Sequence, residues 1–372
     1  MKITQLELLM VKPRWMFLKM HTDTGLIGYG EPIVEGHTHA VAATIKAFEN
    51  YLIGQDPRRI EHHWQALYRG GFYRGGPVLT SAISGIEQAM WDILGKSLGV
   101  PVYQLLGGAV RDRFRIYSHL GGATAEELVA NARQKLAGGF TTLKFSFDAP
   151  IRFMEPQAFI ENCVHMFKSL REAVGKEVDI AIDFHGRFSP ALAKRLIQAL
   201  EPYYPLFIEE PCLPENVDTM VEIARSTTIP IATGERLFTK WGFRQVLEKQ
   251  AVAIVQPDLC HAGGILEGKK IAAMAECYYM AVAPHNPLGP ISLAAALQLD
   301  ACIPNFLIQE QVTLGEGYLK EPFRMVDGCI AISEKPGLGI ELDDEKVNAL
   351  RYPGDWETPR VWDRQDGSVA DW

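Results

Sequence analysis

Long apolar runs are missing from this chain. No stretch of about 18 apolar residues occurs, and Met1-Lys2-Ile3-Thr4-Gln5 opens no signal-type apolar core, so neither membrane spanning nor export is expected. Cysteine is sparse as well. The six cysteines are scattered and none forms a CxxC pair, which argues against a disulfide framework and fits reduced thiols in a cytoplasmic protein. No basic stretch stands out, and the net charge is -8 with a pI near 5.7. Nucleic acid is therefore not an expected partner; mild acidity favours solubility and little else. There is no low-complexity segment, and the only internal periodicity is an alternation of strand-like and helix-like stretches.

What the chain does have is length and apolar material. Its 372 residues exceed one ordinary domain and suit a barrel of about 250 residues with a smaller partner. Residues 2–11, Phe17–Thr22 and Leu26–Tyr29 read as strands, with Asp23-Thr24-Gly25 as a turn. Helical patterns follow at His39–Leu52, Ile60–Tyr68 and Ser81–Leu98. Three strands and then three helices predict a separate α+β domain. The glycine-rich Gly70–Gly76 stretch joins two helices and does not leave a strand, so it reads as a flexible loop or subunit contact and not as a phosphate cradle.

From about Phe114 short apolar runs alternate with helices. The expected strands are Arg115–Ser118, Thr142–Phe147, Val178–Asp183, Leu206–Glu209, Ile229–Thr233, Ala253–Gln256, Met280–Ala283 and Phe306–Gln309. Eight strands with crossover helices predict a (β/α)₈-like barrel, an α/β fold. The expected division is a capping domain over 1–112, a barrel over 113–320 and a returning segment over 321–372, irregular at its end and packed on the first domain.

Chemistry in such a barrel gathers at the C-terminal ends of the strands. There stand Lys144 and Ser146, Asp183 and His185, Glu209 and Glu210, Glu235 and Arg236, then Asp258, His285 and Glu310. Alternation along a strand places Asp183 and His185 on one side. Taken singly, each acid has a plainer reading as a helix cap or surface group, Arg236 as a partner for Glu235, and only one of Glu209 and Glu210 can face inward. Jointly they do not. Asp183, Glu209 and Glu235 recur about every 26 residues, roughly one strand, loop and helix. Three acids in one pocket of low dielectric repel strongly unless a cation joins them. All-oxygen ligation suits Mg²⁺, with Mn²⁺ possible, and not zinc. Asp258 can fix one nitrogen of His285 and make the other a general base. His185 offers a second acid/base group, Glu310 a hydrogen-bond donor if protonated, and Lys144 a positive charge. These parts suit proton abstraction next to a carboxylate.

On those residues the chain resembles the enolase superfamily, in its mandelate racemase-like subgroup. The resemblance runs through Arg14–Lys19 and Phe72–Pro77, then Asp183–Arg187, Pro205–Pro211, Gln256–Leu259, His261–Gly264 and Ala283–His285. It implies a capped (β/α)7β-type modified TIM barrel. Asp183, Glu209 and Glu235 would hold one Mg²⁺ per subunit. His285 with Asp258 would take the C2 proton, His185 would assist loss of the 3-hydroxyl, and Glu310 would bind the substrate carboxylate. Racemases of the subgroup carry Lys-x-Lys where this chain has Lys144-Phe145-Ser146, so the second base is absent. That departure favours removal of water from C2 and C3 of an aldonate, galactonate or a related sugar acid, to give a 2-keto-3-deoxy acid. Racemisation or epimerisation of a 2-hydroxy acid is the alternative. By analogy Lys144, Ser146, Arg14 and Trp15 would touch substrate, the Glu35–His39 loop would close over it, and the chain would form a homo-oligomer, often an octamer. A metal-dependent hydrolase finds its HxH in His37-Thr38-His39, but that motif precedes the first barrel strand.

Overall fold

The computed structural model describes residues 1–147 and 150–372. The chain opens with an antiparallel meander, β1 (Ile3–Val11), β2 (Trp15–Thr22) and β3 (Ile27–Gly30), in that order in the sheet. β1 buries Ile3, Leu6, Leu9 and Val11 and exposes Thr4 and Gln5. The central β2 is buried almost throughout. Helices Thr38–Leu52, Ile60–Arg69 and Pro77–Leu98 follow. The last starts with proline in its first turn and stops at Gly99, φ +70°. It packs so tightly on β3 that a Cβ on Gly28 or Gly30 would lie 2.1 or 1.9 Å from the helix carbonyl oxygens of Ala89 or Gly85.

The barrel strands are β5 (Ser118–Leu120), β6 (Thr142–Ser146), β7 (Asp179–Asp183), β8 (Ile208–Glu209), β9 (Ile231–Thr233), β10 (Ile254–Val255) and β11 (Ala281–Val282). All pair in parallel in chain order. The expected eighth strand, Phe306–Gln309, closes the ring by single parallel bridges, Phe306 to Val282 and Gln309 to Ile116. The first expected strand divides. Arg113–Arg115 is β4 of a separate antiparallel sheet with β12 (Met325–Val326) and β13 (Cys329–Ala331), and the barrel strand begins three residues later. Inside the ring, Tyr117, Ala181, Phe207, Ala232, Ile254, Ala283 and Ile308 form an apolar layer to which nearly every strand contributes.

The expected irregular end is more ordered than its composition suggests. It forms a helix at Asp344–Ala349 and a hairpin of Val361–Trp362 with Val369–Ala370. It does return to the first domain, where Lys12 N–H donates to Leu350 O and Tyr352 N–H to Met10 O. All six cysteines are free thiols. Among the described residues no helix is long and apolar enough to cross a membrane.

Two buried carboxylates of the cap are seated on barrel helices. Glu31 accepts from Gly289 N (2.7 Å) and Ser292 N (2.9 Å) at the start of helix Pro290–Cys302. Glu87 accepts from Ile265 N (2.8 Å) and Leu266 N (2.9 Å) at the start of helix Ile265–Glu276. Each satisfies N–H groups that a helix start leaves open and meets the positive end of the helix dipole. These are the helices that follow the strands leading to His285 and Asp258, so the cap fixes the loops on which those two side chains stand.

Candidate active site

The site is the layer directly above the apolar one. Two residues along a strand return to the same face. Stepping two positions on from Tyr117, Ala181, Phe207, Ala283 and Ile308 reaches His119, Asp183, Glu209, His285 and Glu310. The fifth strand departs from this step. Gly234 stands where the acid would be, at φ +150° with its Cα against Gln256, and the carboxylate is displaced to Glu235. A Cβ at Gly234 would meet backbone atoms of Gln256 at 2.7 Å, so only glycine allows this re-aiming.

Lys144 Nζ is the buried hub. It lies 2.8 Å from Glu209 Oε2, 2.8 Å from Glu310 Oε1 and 3.8 Å from Asp183 Oδ2. Burial opposes its charge, yet Glu209 and Glu310 hold its pKa well above the usual lysine value. His285 Nδ1 is 2.9 Å from Asp258 Oδ2, and its Nε2 is 3.2 Å from Glu235 Oε2 and 3.9 Å from Glu310 Oε2. Burial favours the neutral ring, but Glu235, Glu310 and Asp258 outweigh it and lift His285 well above the ordinary histidine value. His185 moves the other way. Its burial and the nearby Arg187 outweigh Asp183 and lower its pKa.

The strand ends at Asp183, so alternation does not place His185 as expected. His185 lies in a turn at φ +55°, its N–H donating to Asp183 Oδ1 at 2.7 Å. It still faces the same cavity. Glu209 and Glu210 are both buried, but Glu210 is turned to φ +39° and pairs with Arg236. Arg236 is thus chiefly the partner of Glu210; its Nε is 3.9 Å from Glu235, and its Nη2 donates to His185 O at 2.8 Å.

A cavity of about 860 Å³ gathers Arg14, Lys144, Ser146, Asp183, His185, Glu235, His285 and Glu310, with Glu209 and Asp258 buried behind its wall. Trp15 is a correction. It is buried at 4% exposure, packs on Phe17 and Tyr318, and props the Gly289 turn instead of facing the cavity. Of the Glu35–His39 loop, Glu35 reaches the cavity and lies 3.5 Å from Arg14 Nε. Glu310 also departs from expectation. It accepts from Asn286 N (2.8 Å) and stands 2.7 Å from His119 Nε2. Burial is outweighed by Lys144, His285 and His119, which hold its carboxyl well below the usual range, so these surroundings withhold the proton a donor would need.

Cavity groups with no expected role include His119, His261 and Trp372. His119 lies on the barrel strand Ser118–Leu120, one residue beyond the end of the expected strand Arg115–Ser118. His261 Nδ1 bonds to Ser81 Oγ of the cap at 2.9 Å, and Trp372 comes from the far end of the chain.

The acids fit a cation. Glu209 Oε1 and Glu235 Oε2 are buried with no hydrogen-bond partner among the described residues, although His285 Nε2 stands near the latter. One ligand atom each from Glu209, Glu235 and His285 lies within 4.8 Å of the others. Asp183 is outside that tightest group, but its Cα is paired across the ladder with that of Glu209 and its carboxylate lines the cavity.

Known proteins are similar to this chain over its whole length. Residues 127–347 match the family described as enolase C-terminal domain-like, and residues 9–107 the mandelate racemase/muconate lactonizing enzyme N-terminal domain. The chain is 48% identical to the D-galactonate dehydratases of Variovorax paradoxus and Ralstonia nicotianae, each over 384 aligned positions covering 100% of both proteins. Among solved structures, an enolase from Agrobacterium radiobacter with bound sodium and L-malate aligns over 100% of both chains, with a TM-score of 0.93 at 32% identity. A mandelate racemase/muconate lactonizing enzyme from Sulfitobacter aligns over 100% of both, with a TM-score of 0.91 at 36% identity.

Proposed function

The chain belongs to the mandelate racemase/muconate lactonizing enzyme family of the enolase superfamily, and on that premise we propose that it is an acid-sugar dehydratase acting on D-galactonate or a related aldonate. The observation that supports this most is a cavity in which His185 and His285 stand beside the acids and Ser146, not a second lysine, stands beside Lys144. His285 Nε2 takes the C2 proton, while Asp258 holds Nδ1 and fixes the tautomer. Asp183, Glu209 and Glu235 would hold a divalent cation, Mg²⁺ or else Mn²⁺, which would supply Lewis-acid stabilisation of negative charge developing on the substrate and would offset the Glu235 charge that draws a proton onto His285. His185 gives a proton to the departing 3-hydroxyl, so that water leaves and the resulting enol tautomerises to the 2-keto-3-deoxy acid. Lys144 orients Glu209 and Glu310 in the floor of the cavity. Arg14 and Glu35 of the cap exclude water and position the far end of the sugar.

In this assignment Asp183 replaces His285 in the tightest ligand group. The Asp258 bond at Nδ1 makes Nε2 the basic atom, and three carboxylates suit a hard ion better than a mixed set. The division of labour is a specificity cap over 1–112, a catalytic barrel over 113–320 and a returning segment over 321–372. The chain works as a homo-oligomer, an octamer by family resemblance. The outward-facing Phe72 and Tyr73, 91% and 86% exposed, are the side chains we assign to subunit contact. The test is a library of acid sugars with Mg²⁺, D-galactonate first, scored for 2-keto acid. Product is expected from at least one aldonate and none in excess chelator. Epimerised substrate without keto acid would establish the racemase alternative instead.

A further inference from the structure

His185 owes its orientation to a part of the chain remote from the barrel. Its backbone is tied at both ends, N–H to Asp183 and carbonyl to Arg236. Its ring is held by Trp372, whose backbone oxygen lies 2.6 Å from Nδ1. That oxygen can only accept, so Nδ1 must donate, and Nε2 is the nitrogen left to serve the cavity. The indole packs edge-on against the imidazole, with ring centroids 5.3 Å apart at 73°. Rotation of the imidazole would break both contacts.

The segment that brings Trp372 there is anchored on two sides. Gln365, in the hairpin turn, accepts from Arg152 Nη1 of the barrel at 2.9 Å. Thr358 sits against Gly36 of the cap, where a Cβ would meet its Oγ1 at 2.5 Å. Asp371 lines both the 860 Å³ cavity and a neighbouring one of about 850 Å³, so the segment is a wall between them.

We propose that Trp372 is a positioning residue for His185: it presents Nε2 to the substrate 3-hydroxyl and so governs loss of water without governing removal of the C2 proton. This rests on the dehydratase reading above. The arrangement parallels the Asp258–His285 pair, with a main-chain oxygen and an indole edge in place of an aspartate side chain.

The test uses the full-length protein with Mg²⁺ and the sugar acid that the wild type dehydrates. The variants are deletion of Asp371–Trp372, Trp372→Ala and Trp372→Phe. Deletion is expected to lower kcat for dehydration roughly 10- to 100-fold, with KM and C2 proton–deuterium exchange little changed. Trp372→Ala keeps the backbone oxygen but loses the ring contact and should fall between deletion and wild type; it replaces the deletion if that chain does not fold. Trp372→Phe restores a ring edge and should recover most of the rate. Unchanged dehydration in the deletion and Ala variants, a parallel fall of exchange and dehydration, or a Phe variant as poor as the Ala variant would each overturn the proposal. A wild type that dehydrates no sugar acid would overturn the dehydratase reading itself, and this inference with it.

Discussion

His285 and His185 face one cavity but are held in unlike ways. His285 stands on a loop fixed from below by the cap, since Glu31 ties down the helix that follows, and its partner Asp258 is a fully buried carboxylate. His185 stands in a left-handed turn just past a strand, and its ring partner is a half-exposed terminal segment. Their pKa values move in opposite directions. Buried acids draw a proton onto one ring; burial and Arg187 push it off the other. Two imidazoles of the same intrinsic basicity are thus set apart by their surroundings. On the proposed assignment, the proton-abstracting side would belong to the buried core and the water-releasing side would lean on a peripheral strap.

The largest effect should come from breaking the rigid side. His285→Asn is expected to lower turnover on the order of 10⁴-fold, and C2 exchange should fall with dehydration. Metal affinity, measured directly by titration, should stay near that of the wild type. A loss of metal binding would move His285 into the ligand set with Glu209 and Glu235.

A smaller effect should come from Glu31, beneath the same side. Burial pushes its carboxyl from 4.5 up to about 8, against the two N–H donors that favour the charged form. The folded state therefore holds this proton more tightly than the unfolded chain does. The stability it contributes is complete below about pH 4.5 and is lost as pH rises through about 8. Glu31→Gln removes the titration. The difference in melting temperature between wild type and variant should change across that window, on the order of 2 °C, as followed by thermal unfolding at several pH values. A constant difference would mean that Glu31 does not titrate there.

Much of this was legible in the sequence because it is local. Helices Ala125–Ala137, Gln157–Val174 and Pro190–Leu200 begin and end where their caps and prolines put them, with Thr124 and Ser189 as side-chain caps. The recurrence of acids after apolar runs located Asp183, Glu209 and Glu235, because the β/α period fixes where strands end. What escaped depends on long-range contact. Nothing near Trp15 says that it packs on Tyr318, and nothing near Glu31 says that it seats a helix some 260 residues away. His119 escaped through a strand placed three residues early, and Glu310 because its neighbours Lys144 and His119 come from other strands. Ser146, by contrast, is informative from its position alone: it lines the cavity where a racemase of this family would place a base.

The division of labour between the two histidines is tested most directly with His185→Asn in D₂O, following the C2 proton of the substrate by NMR alongside 2-keto acid formation. C2 exchange is expected to persist while dehydration falls roughly 10²- to 10⁴-fold. Dehydration at the wild-type rate, or exchange lost together with it, would contradict the account.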